Sequence, residues 1–133
     1  KCFEINRDIS RQCDEFGIVH VIEAMAANGG FARADDPEVV LMNCRIASEL
    51  GADIVKTDWC GAEGMAKAVQ NTLAPIAIAG GGKAGSLAEL MDTVRAGIAS
   101  GATGFMFGRN TFQRDDVRKT VQSLRDTITE MRK

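Results

Sequence analysis

The chain has 133 residues, 45% hydrophobic and 26% charged, which is ordinary globular composition with enough length for one domain and a core. Lys and Arg number 16 against 18 Asp and Glu, a formal charge of −2, so no basic field exists to recruit nucleic acid or an anionic membrane. No apolar run approaches the roughly 18 residues of a membrane helix, and Lys1-Cys2-Phe3 has no signal-peptide layout, so a soluble, cytoplasmic protein is expected.

From Glu4 to Phe16 the apolar residues Ile5, Ile9, Cys13 and Phe16 fall on one helix face, and Gly17 supplies a stop. The chain does not begin with Met and opens directly on this helical pattern, which leads us to expect a fragment. The apolar run Gly17–Ile22 reads as a first strand, leading into Glu23-Ala-Met-Ala-Ala-Asn-Gly-Gly30, a loop with two glycines. Asp36 as N-cap and Pro37 at the first helical position open a helix that turns Val40, Leu41, Cys44, Ala47 and Leu50 inward, and Gly51 closes it.

The second strand, within Gly51-Ala-Asp-Ile-Val-Lys56-Thr-Asp58-Trp59, is β-branched and ends on a lysine. A turn region, Gly61-Ala-Glu-Gly64, gives way to a short helix through Met65, Val69 and Leu73, broken by Ala74-Pro75. Pro75–Ala79 reads as the third strand, ending in Gly80-Gly-Gly-Lys83, and Ser86-x-x-Glu89 is a capping box before a helix bearing Leu87, Leu90, Met91, Val94 and Ile98. Gly101 ends that helix. Thr103–Phe107 reads as the fourth strand, with Gly108-Arg109-Asn110 at its exit, and Val117, Val121, Leu124, Ile128 and Met131 mark a last helix.

The order is a helix followed by four βα units, so all four strands should be parallel. Their apolar runs show no in/out alternation, which predicts that both faces are covered, as in an α/β barrel or a doubly wound sheet. In both architectures catalytic groups collect at the C-terminal strand ends, and the unusual residues of this chain stand at those ends.

Lys56 is the first of them. An ammonium taken out of water is costly unless paired, so an inward strand lysine tends to lose its proton and become a nucleophilic amine; alternatively Lys56 only marks where the strand meets water. Strand alternation puts Ala52, Ile54, Lys56 and Asp58 on one face and Asp53, Val55 and Thr57 on the other, so Asp58 could neighbour the lysine. The two glycine-rich exits let backbone N–H groups approach an anion, and Lys83 and Arg109 add charge, which favours a phosphate monoester over plain turn chemistry. Glu23 could be an acid, a base or a partner for substrate hydroxyls, although a solvated loop glutamate is commoner. Trp59 could be a stacking wall or cover for the strand end.

His20, inside an apolar run, reads as a core histidine with a satisfied nitrogen. Cys2, Cys13, Cys44 and Cys60 form no C-x-x-C pair and read as structural thiols. No metal or cofactor is expected.

Gly51-Ala-Asp-Ile-Val-Lys56-Thr, Pro75-Ile-Ala-Ile-Ala-Gly-Gly81 and Gly101-Ala-Thr-Gly-Phe-Met-Phe-Gly-Arg-Asn-Thr-Phe-Gln113 together resemble the back half of the archaeal-type class I fructose-bisphosphate aldolases. Their superfamily includes the deoxyribose-phosphate aldolase-like and autoinducer-2 thiolase-like enzymes. The resemblance implies that residues 1–133 are a single partial domain, strands five to eight of a (β/α)8 TIM barrel. Lys56 would then be the Schiff-base lysine on the sixth strand, and Gly80, Gly81, Gly108 and Arg109 would hold the substrate phosphate. Sugar-phosphate aldolases of this group carry a tyrosine acid after the fifth strand, where this chain has Glu23-Ala-Met25-Ala-Ala and no tyrosine anywhere, which moves the expectation toward the thiolase-like branch or another aldolase.

The reading is therefore a lysine-dependent lyase or thiolase for a phosphorylated ketose or dicarbonyl, with Lys56 as nucleophile and Glu23, Asp58, Trp59, Gly80, Gly81, Gly108 and Arg109 around the substrate. Half a barrel exposes edge strands, so a homo-oligomer is expected. The rivals are an FMN-dependent barrel, whose cofactor phosphate suits the same exits, and a non-catalytic phosphate-binding module.

Overall fold

The computed structural model describes residues 1–25 and 35–133; the two-glycine loop anticipated at Asn28-Gly29-Gly30 lies outside the described residues. Its elements are α1 (Cys2–Phe16), β1 (Val21–Glu23), α2 (Pro37–Glu49), β2 (Ile54–Thr57), α3 (Ala62–Gln70), β3 (Ile76–Ala79), α4 (Leu87–Ala99), β4 (Gly104–Met106), α5 (Arg109–Phe112) and α6 (Val117–Met131). The helix boundaries follow local chemistry. The Asp36 carboxylate accepts from the backbone N–H groups of Glu38 and Val39 at 3.0 and 3.4 Å, with Pro37 in the first turn. Ser86 Oγ accepts from Glu89 N–H at 3.1 Å, while the Glu89 carboxylate reaches back to Gly85 N–H at 2.9 Å. Gly17 ends α1 in the left-handed region with φ 65.

The strands form one parallel sheet in the order β1-β2-β3-β4. A doubly wound sheet reverses its strand order at a switch point, whereas this order never does. Right-handed crossovers taken always in the same direction put every helix on the same side, as in a barrel. The fold is thus α/β, four βα units of a TIM-type barrel preceded by a helix.

The core lies on that helix side. Val55, Ile76 and Ile78 are buried beneath Val40, Cys44, Met65 and Ala68 of α2 and α3, and Leu90, Met91 and Val94 of α4 meet Leu124 of α6. At Gly97 an added Cβ would stand 2.6 Å from Ile78 Cδ1 and 3.0 Å from the Phe105 ring, so only glycine lets α4 lie this close to the sheet.

The other sheet face departs from expectation. Along β2 the burial alternates, with Val55 and Thr57 buried and Ile54 and Lys56 only partly so, and Met106 of β4 is exposed. Continuous apolar runs imply two covered faces, but among the described residues helices cover only the outer one, because four strands alone do not curl into a closed interior. β3, flanked on both sides, is buried throughout.

The end helices depart for the same reason. The α1 stripe exists, yet Ile5, Ile9 and Phe16 are exposed, Phe16 by 72%, and Ser10 is the one buried residue of the helix, its Oγ bonded to Gly51 O at 2.9 Å. On α6, Val117, Val121 and Met131 of the anticipated stripe are exposed too. These stripes face space that no element of the described chain fills.

Two local expectations fail. The Gly61–Gly64 segment is not a turn throughout. α3 starts at Ala62 and packs Gly64 inside, where a Cβ would sit 2.8 Å from Pro37 Cβ. Leu73 lies beyond the helix end and is 95% exposed. Among the described residues no helix is long and apolar enough to cross a membrane.

Candidate active site

Parallel pairing sets the site. Glu23 is in register with Lys56, Lys56 with Ala77, and Ala77 with Gly104, so one row of residues crosses the sheet on its open inner face. Glu23 ends β1 rather than standing in a loop, and its Oε1 lies 2.6 Å from Lys56 Nζ. The ladder continues one step past it, with Ala24 N–H donating to Lys56 O at 2.8 Å and Thr57 Oγ1 to Ala24 O at 3.0 Å, which fixes the two strand ends relative to one another. Beyond the lysine the row holds only a methyl group and a hydrogen, at Ala77 and Gly104, and these leave room beside Nζ. The Lys56 side chain is 24% exposed and Glu23 48%, so the pair is reachable from solvent.

A cleft of about 230 Å³ opens over this row. It is lined by Glu23, Lys56 and Asp58 on one side and by Gly80, Gly81, Gly108 and Arg109 on the other, with Met25, Met106 and Phe112 supplying apolar wall. Gly81 has φ 55, which favours glycine, and a Cβ on Gly80 would come within 3.2 Å of the Phe107 ring. The two glycine exits thus meet the lysine across a single opening.

Residues 2–114 match the DeoC/LacD family of aldolases. The chain belongs to that family. It is 30% identical, over 130 residues, to the class 1 fructose-bisphosphate aldolase of Thermoproteus tenax, a match spanning 96% of this chain and 49% of that protein. An archaeal fructose 1,6-bisphosphate aldolase crystal structure superposes with a TM-score of 0.92 at 29% identity, covering 96% of this chain and 52% of that one. Another archaeal fructose-1,6-bisphosphate aldolase, solved with its catalytic lysine covalently bound to the carbinolamine intermediate of the substrate, gives 0.90 at 28% identity over 95% of this chain and 51% of that one. This DeoC/LacD-family chain therefore spans about half the length of the relatives it matches, and its four strands correspond to half of their barrel.

Other singled-out residues lie around the cleft or away from it. Trp59 does not line it; it packs against the core and lines an adjoining cavity of about 430 Å³ with Asp35, Asp58, Lys83 and Glu89. Asp58 lines both openings. Burial, then the nearby Glu23 and Asp35 carboxylates, raise its carboxyl above the ordinary aspartate value, and Lys56 offsets this only partly. Lys83 is absent from the Lys56 cleft, because its Nζ is bonded to Gln113 O at 2.7 Å. His20 is buried as anticipated, but among the described residues its Nδ1 has no partner. Burial pushes the Cys44 and Cys60 thiols up to about 11, which keeps them un-ionised and poor nucleophiles.

Sequence reasoning gave Asn110 no role. Asn110 is buried, donates to Gly80 O at 2.6 Å and Gly82 O at 3.0 Å, and accepts from Ala84 N–H at 2.8 Å. It staples the third-strand glycine loop to the start of α5. Arg114 adds bonds to Ala84 O and Ser86 O at 2.8 and 3.3 Å. An asparagine directly after a glycine-rich exit was the available signal, but its partners sit on another βα unit.

Proposed function

We propose that this chain is the lysine-bearing half of a class I, Schiff-base aldolase or related thiolase acting on a phosphorylated ketose or dicarbonyl. The observation that carries the reading is the Glu23–Lys56 pair at 2.6 Å, set across a cleft from two glycine exits and Arg109. Nucleophilic attack needs Nζ without its extra proton, and Glu23 is the acceptor already in place to take it. The amine adds to the substrate carbonyl as a carbinolamine, and loss of water leaves an iminium that draws in the electron pair of the C–C bond being broken. The backbone of Gly80, Gly81 and Gly108, with the Arg109 guanidinium, holds the phosphate and so places the carbonyl over Nζ. Asp58 meets the substrate's polar groups, and Trp59 backs the loop from the adjoining cavity. A flavin or a non-catalytic phosphate site would use the same exits, but neither gives the Glu23–Lys56 pair a task.

Residues 1–133 on this reading form one partial domain, strands five to eight of the barrel. The open edges of β1 and β4 and the bare stripes of α1 and α6 support a homo-oligomer in which a second copy covers them. A cytoplasmic setting fits four cysteines that are all free thiols. Borohydride reduction in the presence of dihydroxyacetone phosphate tests the chemistry: the stable adduct belongs on Lys56 and disappears in Lys56→Arg, whose guanidinium does not deprotonate. An adduct that persists in Lys56→Arg would overturn the assignment.

A further inference from the structure

Iminium formation needs an acid as well as a nucleophile, since hydroxide is a poor leaving group. The chain has no tyrosine, and its one histidine, His20, precedes β1 and lies outside the cleft. Among the described residues, three titratable side chains besides Lys56 line the cleft: Glu23, Asp58 and Arg109. Arg109 does not release its proton. Glu23 is committed to the Nζ proton, taking it before attack and returning it when the imine is hydrolysed, so it is not free to supply the hydroxyl's proton. Asp58 remains, two residues beyond Lys56 and just past the end of β2, lining the same cleft. Its Oδ2 is buried and has no hydrogen-bond partner among the described residues. A carboxylate with one oxygen shut off from water and without a donor is costly to ionise, and the neutral carboxyl avoids that cost.

We propose that Asp58 is the proton donor that releases water from the carbinolamine on Lys56. This rests on the Schiff-base reading above. In the step, the carbinolamine C–O bond breaks, its oxygen takes the Asp58 proton and leaves as water, and the nitrogen lone pair forms the C=N bond of the iminium. Asp58 is left as carboxylate. In the closing hydrolysis the same carboxylate takes a proton from the attacking water, which restores the acid and needs no further reactant.

The surroundings keep that acid protonated to higher pH than a free aspartate. Glu23 on β1 and Asp35 before α2 both oppose its ionisation, and Lys56 on its own strand favours ionisation but is shared with Glu23. On the adjoining cavity it faces Lys83 of the glycine loop, which is held by Gln113 O, and Glu89 of α4, which is held by Gly85 N–H. The supply of acid therefore falls as pH rises through the Asp58 ionisation, which lies above the ordinary aspartate value.

The test follows the rate of borohydride-trapped adduct formation with dihydroxyacetone phosphate, against pH, in the unaltered chain, Asp58→Asn, Asp58→Glu and Lys56→Arg. General acids contribute about 10²–10⁴-fold, so Asp58→Asn should slow trapping at least about 10²-fold and abolish the fall in rate at rising pH. Asp58→Glu, which keeps the carboxyl, should restore part of the rate and shift that limb. Circular dichroism checks that each variant is folded. Trapping by Asp58→Asn at the unaltered rate, or slowed with the same pH limb, overturns the donor role while leaving Lys56 as the nucleophile. Adduct in Lys56→Arg overturns the Schiff-base reading instead.

Discussion

The two faces of the sheet are built from alternate residues of the same strands, yet they have opposite fates. On the outer face Val55, Ile76 and Ile78 vanish beneath α2, α3 and α4. On the inner face Glu23, Lys56 and Met106 stay open to solvent, around a row that narrows to Ala77 and Gly104. Alternation lets one strand serve both ends: the outer residues hold the fold, and the inner residues are left to line the cleft. The two should therefore separate under mutation.

The sharpest break between them is expected at Met65, fully buried against the outer face. Met65→Ala should cost about 2–5 kcal/mol through lost contacts and a cavity, measured by urea unfolding, while the folded fraction still traps substrate on Lys56. On the inner side, Arg109→Ala should leave the unfolding midpoint in place and weaken phosphate binding by about 1.5–3 kcal/mol, roughly ten- to a hundredfold, in calorimetric titration. Unchanged affinity would remove Arg109 from the site. The smallest effect on folding is expected at the flank. Ile9→Glu, on the bare α1 stripe, should stay within about 0.5 kcal/mol of the unaltered stability but lower the mass seen in sedimentation. If the unaltered chain already sediments as a monomer, the homo-oligomer is wrong.

Sequence patterns resolved the elements whose signals are local. Asp36-Pro37 and Ser86-x-x-Glu89 announce their helices because a cap is a contact within one turn. The outer strand residues were legible because burial under helices selects β-branched side chains. The sequence was misleading where no element of the described residues covers an apolar face, as on the stripes of α1 and α6 and the inner sheet face. Gly64 looked like a turn because a glycine needed for close packing against Pro37 reads the same as one needed for a bend.

Among the candidate residues, Lys56 and the two glycine exits stand out by residue type and strand position, and the family resemblance is what gives Lys56 its expected role. The Glu23–Lys56 contact could not be found that way, since it depends on the parallel register of strands separated by a whole helix. Asn110 was missed for a related reason: its value lies in reaching Gly80 and Gly82 across βα units. Lys83 looked like a partner in phosphate binding from its glycine loop, but the bond to Gln113 O holds it outside the cleft.

That contrast between two lysines gives the most direct test of the central claim. Peptide mapping by mass spectrometry after borohydride reduction with dihydroxyacetone phosphate compares the adduct on Lys56 and Lys83 in the same molecules. The account predicts adduct on Lys56, set beside a proton acceptor and over the cleft, and far less on Lys83. Equal labelling of the two, or labelling of Lys83 alone, would contradict it.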